Sequence, residues 1–240
     1  MRPFKLLIIS NPQSPATDYY RTVGPFTQLA NDYPQELEVA IESPDGVLWF
    51  DIFDSDAVLF QRPNGTQILQ YIEEAARMGK RILLDIDDLL HGITDSNPAT
   101  SHFNRPEIQQ TIEKALKYAD HLFVSTPPLA QYYGQHIAPA KITVVRNAWN
   151  AEQQPPGEVK PQNKPIRMIW RGSVTHMADL HTVKPALGRI AHDPAFAFVM
   201  VGLEKWLGFD LPDTIIYRKW QTLFSYFELM YKSEPDYGIF

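Results

Sequence analysis

The sequence predicts an α/β protein of two Rossmann-like domains, each a doubly wound parallel sheet, with the second domain incomplete. Three observations predict it. Short, continuous apolar runs alternate with stretches whose apolar residues recur at helical spacing, the pattern of buried parallel strands joined by crossover helices. The alternation is interrupted once, at 151–165, and then restarts. The 240 residues, 44% hydrophobic and 21% charged, suit a folded protein of one large domain or two modest ones.

The strands read off in order. Lys5–Ser10 is an apolar run fit for the centre of a sheet, and a polar loop with Pro12 and Pro15 follows it. Phe26, Leu29 and Ala30 give a helical spacing, and Leu37–Ile41 a second strand. Ala57–Gln61 is the third strand, Ile68, Leu69, Ile72, Ala75 and Ala76 lie on one helical face, and Arg81–Asp85 is the fourth strand. Ile108, Ile112, Ala115 and Leu116 form another helical face before the strand His121–Ser125. Thr126 then caps a helix with Pro127 in its first turn, where the missing N–H costs nothing. Ile142–Val145 closes the first series.

Residues 1–150 therefore form a first domain, 151–165 (rich in Pro, Gln and charge) a linker, and 166–240 a partial second domain. In the second, Ile166–Trp170 and Phe196–Val201 read as strands around a helix face of Leu180, Val183, Leu187 and Ile190. Ile215–Ile216 and the terminal Tyr237–Phe240 read as further strands, with a helix face at Leu223, Phe224, Phe227 and Met230 between them.

Composition narrows the function. The net charge is −6, the opposite sign from a protein whose main task is gripping nucleic acid, so nucleic acid is not expected as a partner and any phosphate site is local. The absence of cysteine excludes disulfides, zinc thiolates and thiol nucleophiles. The apolar run near the N-terminus is too short for a signal peptide, and no stretch approaches the ~20 residues of a membrane span. A cytoplasmic, soluble protein is expected.

In doubly wound sheets ligands sit at the carboxyl ends of strands, which selects the candidates. Asp85, Asp87 and Asp88 follow an apolar strand and could bind a cation, orient a sugar hydroxyl or act as a general base; equally, one could cap the next turn with the others solvated. His91 is a weaker candidate base. In Trp170-Arg171-Gly172-Ser173-Val-Thr-His176, a strand gives way to a helix start. Gly172 would let the backbone approach a ligand, the helix N–H groups would seat a phosphate and Arg171 would add charge; the alternative is an ordinary strand–helix turn with Asp179 in the first helical turn. Asn147 ends the last strand of the first domain, as ligand contact or turn former. Arg21 and Arg62 could reach an anion or simply be solvated. The histidines have no metal spacing, and no G-x-G-x-x-G or Walker loop occurs, so no metal and no dinucleotide cofactor is expected.

These segments, taken in order, carry a resemblance. Asp18-Tyr-Tyr-Arg21…Pro25, Val58-Leu-Phe-Gln-Arg62-Pro63, Leu84-Asp-Ile-Asp-Asp88-Leu89, Val124-Ser-Thr126-Pro127, Val145-Arg-Asn147 and Ile169-Trp-Arg-Gly172-Ser…His176…Asp179 resemble the GT-B glycosyltransferases related to family 4, in a branch common in bacteria and phages. The resemblance spans nearly the whole chain. It implies sugar transfer from a nucleotide-sugar, used as co-substrate with no cofactor, to a glycan or other acceptor. The first domain would hold the acceptor and the second the donor, with Arg171, Gly172, Ser173 and His176 near the donor phosphates and the aspartates facing the acceptor. It also implies that Asp85-Ile-Asp87 is not the metal-binding D-x-D of the GT-A fold. Such enzymes carry a Glu-x7-Glu element late in the second domain; no such pair follows residue 200, so about half that domain is expected to be missing, its open sheet edge covered by a protein partner. Two alternatives remain: a non-catalytic binding module of a larger assembly, and a HAD-type phosphohydrolase with Leu84-Asp-Ile-Asp-Asp88 as nucleophile loop, although Leu89-Leu90 depart from that family's pattern.

Overall fold

The computed structural model describes residues 2–11, 15–91, 93, 97, 100–148, 165–202, 216–218 and 237–239. The predicted linker lies outside these except for Pro165, as does the helix face of Leu223 to Met230. In order the elements are β1 (Phe4–Ile9), α1 (Pro15–Asp18), a π-helical turn (Tyr19–Val23), α2 (Gly24–Asp32), β2 (Leu37–Glu42), α3 (Trp49–Asp54), β3 (Ala57–Gln61), α4 (Thr66–Arg77), β4 (Arg81–Ile86), α5 (Thr100–Phe103), α6 (Pro106–Tyr118), β5 (His121–Val124), α7 (Pro127–Tyr133) and β6 (Ile142–Val144). They continue as β7 (Ile166–Arg171), α8 (Met177–His192), β8 (Phe196–Val201), β9 (Ile216–Arg218) and β10 (Tyr237–Ile239). The chain divides into two compact units, Met1–Ile93 with Ser101–Ala148 and Thr94–Thr100 with Trp149–Phe240.

The first unit holds a six-stranded parallel sheet in the order β2-β1-β3-β4-β5-β6. Its central strands are apolar on both faces because both faces are covered. Alternate residues divide between two layers. Leu7, Ile9, Val58, Phe60, Leu84 and Val124 pack with Ile52 of α3, Ile72 of α4, Ile112 of α6 and Tyr133 of α7. Leu6, Ile8, Ala57 and Leu59 face the other way, joined by Phe26 of α2. The connection from β1 thus lies on one face and the connection from β3 on the other. That makes β1/β3 the topological switch point, where the carboxyl ends of the strands leave a crevice.

The second unit holds a parallel sheet in the order β10-β7-β8-β9. Its core gathers Trp170, Phe198 and Met200 from the sheet with Leu180 and Leu187 of α8. After β9 the chain returns to the far side of β7, so β7 ends at this sheet's switch point.

One local reading is corrected, and one helix is new. The stretch read as a polar loop after β1 is helical from Pro15, running through the π turn into α2. Pro15 opens a helix because its missing N–H falls where none is needed. The sequence also gave no sign of α3. Only Ile52 of α3 is fully buried, while Trp49, Phe50 and Phe53 are more than half exposed, so no apolar stripe marks the helix. Asp51 instead fixes its start, its carboxylate accepting from the Leu48 N–H at 2.7 Å.

Candidate functional site

In the first unit the last rungs of the sheet are polar. Leu6, Ile8 and Leu59 share a face, and so do Ser10 and Gln61 two residues further on. Gln61 pairs in register with Asp85 of β4. Over this face lies the π turn. π-helical turns are rare and concentrate at functional sites. Here the turn carries buried Arg21 and Thr22 inward.

Arg21 is the hub. Its Nη2 donates to Asp85 Oδ2 at 2.6 Å and its Nε to Oδ1 at 3.2 Å, a two-pronged ion pair with both side chains almost wholly buried. Nη1 donates to the Val145 carbonyl and, at 3.1 Å, to Asn147 Oδ1, just past β6. Burial pushes the Asp85 carboxyl up to about 6, against the pull of the Arg21 hydrogen bonds and charge, so Asp85 is the carboxylate at neutral pH. Asp18, one turn earlier, is also raised by burial; it accepts from the Asn11 N–H at 2.9 Å and from the Thr22 hydroxyl at 3.1 Å.

A second pair lies beside the first. Arg62 donates through Nε to Asp87 Oδ1 at 2.5 Å and through Nη2 to Asp87 Oδ2 at 2.8 Å and to Asp88. Burial opposes the Arg62 charge, and the hydrogen bonds and charges of Asp87 and Asp88 outweigh it, so its pKa is raised. Its backbone sits at φ +46°, a left-handed conformation that costs an arginine about 1–2 kcal/mol. The Arg62 N–H to the Asp85 carbonyl at 2.8 Å and the Asn64 amide to the Arg62 carbonyl hold it there. Ser125 donates to the Asp87 carbonyl at 2.6 Å, tying β5 to the same loop. Non-glycine residues in such conformations are held by their surroundings and cluster at functional sites.

Thus the aspartates are not an open acidic patch. Asp85 is buried and Asp87 nearly so, each matched to an arginine, and only Asp88 is well exposed. Neither Arg21 nor Arg62 is solvated. Asn147 does more than turn the chain, since it completes the shell of Arg21. Thr126 takes the capping role, accepting weakly from the Leu129 N–H at 3.4 Å, and its side chain is exposed. His91 packs among Tyr132, Tyr133 and His136, its pKa lowered first by burial and then by the His136 charge.

Sequence reasoning missed Gln61. The residue is 4% exposed and neither side-chain amide atom has a hydrogen-bond partner. The available signal was a polar residue ending an otherwise wholly apolar strand.

In the second unit the turn after β7 is built from local contacts. Ser173 Oγ bonds Thr175 Oγ1 at 2.5 Å and accepts from the Thr175 N–H at 3.3 Å, capping the 3-10 turn Val174–His176 that leads into α8. His176 Nδ1 lies 3.1 Å from Asp179, both exposed, and Asp179 occupies the first turn of α8 as read from the sequence. Gly172 has a packing reason. A Cβ there would meet the Trp170 ring at 2.5 and 2.7 Å, so glycine lets the buried indole fold back under the turn. Arg171, the last residue of β7, is half-buried.

No protein-family model and no curated protein matches the chain. Solved structures do. An alpha-glucosyltransferase in complex with UDP and a 13-mer DNA containing a central A:G mismatch has a TM-score of 0.56 at 12% identity, over 99% of this chain and 71% of that one. The fold is that of the GT-B glycosyltransferases. An alpha-glucosyltransferase in complex with UDP-glucose and DNA containing an abasic site gives 0.54 at 13%, over 99% and 72%. The glycotransferase of kitacinnamycin gives 0.51 at 9%, over 92% and 72%.

These structures overturn one expectation, that nucleic acid is not a partner. Two of these GT-B structures hold DNA, so the fold admits it, and an acidic total does not decide the matter because net charge sums the whole surface while phosphate contacts depend on local charge. Among the described residues no helix is long and apolar enough to cross a membrane.

Proposed function

We propose that this protein is a glycosyltransferase related to family 4, moving a sugar from a nucleotide-sugar donor to a hydroxyl acceptor. The observation that carries the reading is the likeness, along 99% of the chain, to an alpha-glucosyltransferase in complex with UDP-glucose. The first unit would hold the acceptor and the second the donor diphosphate, at the Gly172–Ser173 entrance to α8. In the transfer the bond from the sugar's anomeric carbon to the diphosphate breaks, a bond to the acceptor oxygen forms, UDP leaves, and the hydroxyl proton goes to a base. Of the three aspartates, Asp88 is the one whose exposed carboxylate can meet that proton. Asp85, closed inside its ion pair, is poorly placed as a phosphohydrolase nucleophile.

The neighbours' DNA makes DNA the first acceptor to try, and their UDP the first nucleotide. The chain is incubated with radiolabelled UDP-glucose, with and without duplex DNA containing an HMU base, the base in the DNA held by another alpha-glucosyltransferase structure of this fold. Label in the DNA, or release of free glucose and UDP, supports the reading. UDP-glucose left intact by a protein that binds UDP supports a binding module. Neither consumption nor binding at millimolar concentration sinks both.

A further inference from the structure

The buried amide of Gln61 has no role in the network around it. Ser10, Gln61 and Asp85 form one row across the ends of β1, β3 and β4. Asp85 is answered by Arg21, and Ser10 by Asp18. Gln61, between them, leaves both its N–H2 donor and its carbonyl acceptor unmatched while almost fully buried. Leaving such a group without a partner is costly, and native structures rarely keep one without a purpose. The position gives the purpose. Gln61 ends β3 at the β1/β3 switch point, where parallel sheets of this topology bind their ligands, beneath the π turn and beside the left-handed Arg62.

We infer that Gln61 is a ligand-reading residue of the first unit. Its amide takes a group that presents a hydrogen-bond donor and an acceptor side by side. Two sources share that chemistry: the vicinal hydroxyls of a sugar, and a nucleobase edge with a donor beside an acceptor, a pattern that glutamine can match with two bonds. The substrate class rests on the transferase reading; the orphaned amide at the switch point does not.

The test compares wild type with Gln61→Met, which keeps the volume and removes the polar atoms. Without ligand, the variant should melt about 2–4 °C higher, because an unpaired buried amide is gone. Binding is then measured by calorimetry with methyl α-glucoside, thymidine and N3-methylthymidine, the last lacking the donor of the base edge. Wild type should bind one of the first two, and Gln61→Met about tenfold more weakly. Preference for thymidine over N3-methylthymidine assigns the base edge, and preference for the glucoside assigns the diol. A lower melting temperature with unchanged binding makes Gln61 structural and overturns the inference, as does binding of no probe by wild type. UDP-glucose consumption is read separately. A wild type that consumes donor while Gln61→Met binds as wild type removes only this inference, and Gln61-dependent binding without donor consumption removes only the transferase reading.

Discussion

The ends of β4 and β7 solve the same problem in opposite ways. Past β4 the charged side chains are held by partners far along the chain: Arg21 reaches Asp85, Val145 and Asn147, and Arg62 reaches Asp87. Past β7 the turn is held by residues two or three positions apart, Ser173 to Thr175 and His176 to Asp179. The first arrangement is rigid and buried, and losing one member strands another. The second is local, part-buried at Ser173 and Thr175 and exposed at His176 and Asp179, and its one demanding position is Gly172, where the Trp170 ring claims the space. The aspartates and arginines of the first unit are therefore as much structural as chemical, and the stability of their variants bears directly on any change in activity.

Four measurements put this contrast to the test. Arg21→Ala leaves the Asp85 carboxylate buried without its partner and should cost about 3–5 kcal/mol, lowering the melting temperature by roughly 10 °C; a loss near zero would mean that the pair is not buried in solution. Asp85 makes the second. Its folded pKa is raised, so its favourable contribution is complete below about pH 4 and is lost as the pH rises through about 6. The loss is on the order of 2–3 kcal/mol. Denaturant titrations from pH 4 to 7 should show this slope in wild type and not in Asp85→Asn; matching slopes would contradict it. Third, Gly172→Ala forces the indole to move and should cost about 1–3 kcal/mol by overpacking, with weaker UDP binding in a titration. Least of all, His176→Ala removes only an exposed pair and should shift the melting temperature by about 1 °C or less, so weaker UDP binding in this variant would reflect direct contact.

Much of the fold was legible because parallel strands buried on both faces read as unbroken apolar runs, as Leu6–Ile9 and Ala57–Phe60 do. The helix at Trp49–Asp54 was not, since its aromatics face outward against the usual pattern. The candidate residues were legible from their places at strand ends, but their pairing was not. Whether Asp85 meets Arg21 or water depends on a π turn that brings residue 21 over the fourth strand, and no local spacing encodes that. Nor does the sequence alone suggest that Arg62 takes a left-handed backbone, a conformation that depends on Asp87 and Asn64 being where the fold puts them.

The reach of Arg21 from the start of the first unit to its exit also says where that unit can be cut. A fragment stopping short of Val145 would forfeit two of the acceptors that its guanidinium holds, and with them the tie between the opening helix and the final strand. Anyone isolating this half for titration or crystallisation should carry it through Asn147, because Val145 and Asn147 take one arm of the guanidinium whose other arm holds Asp85.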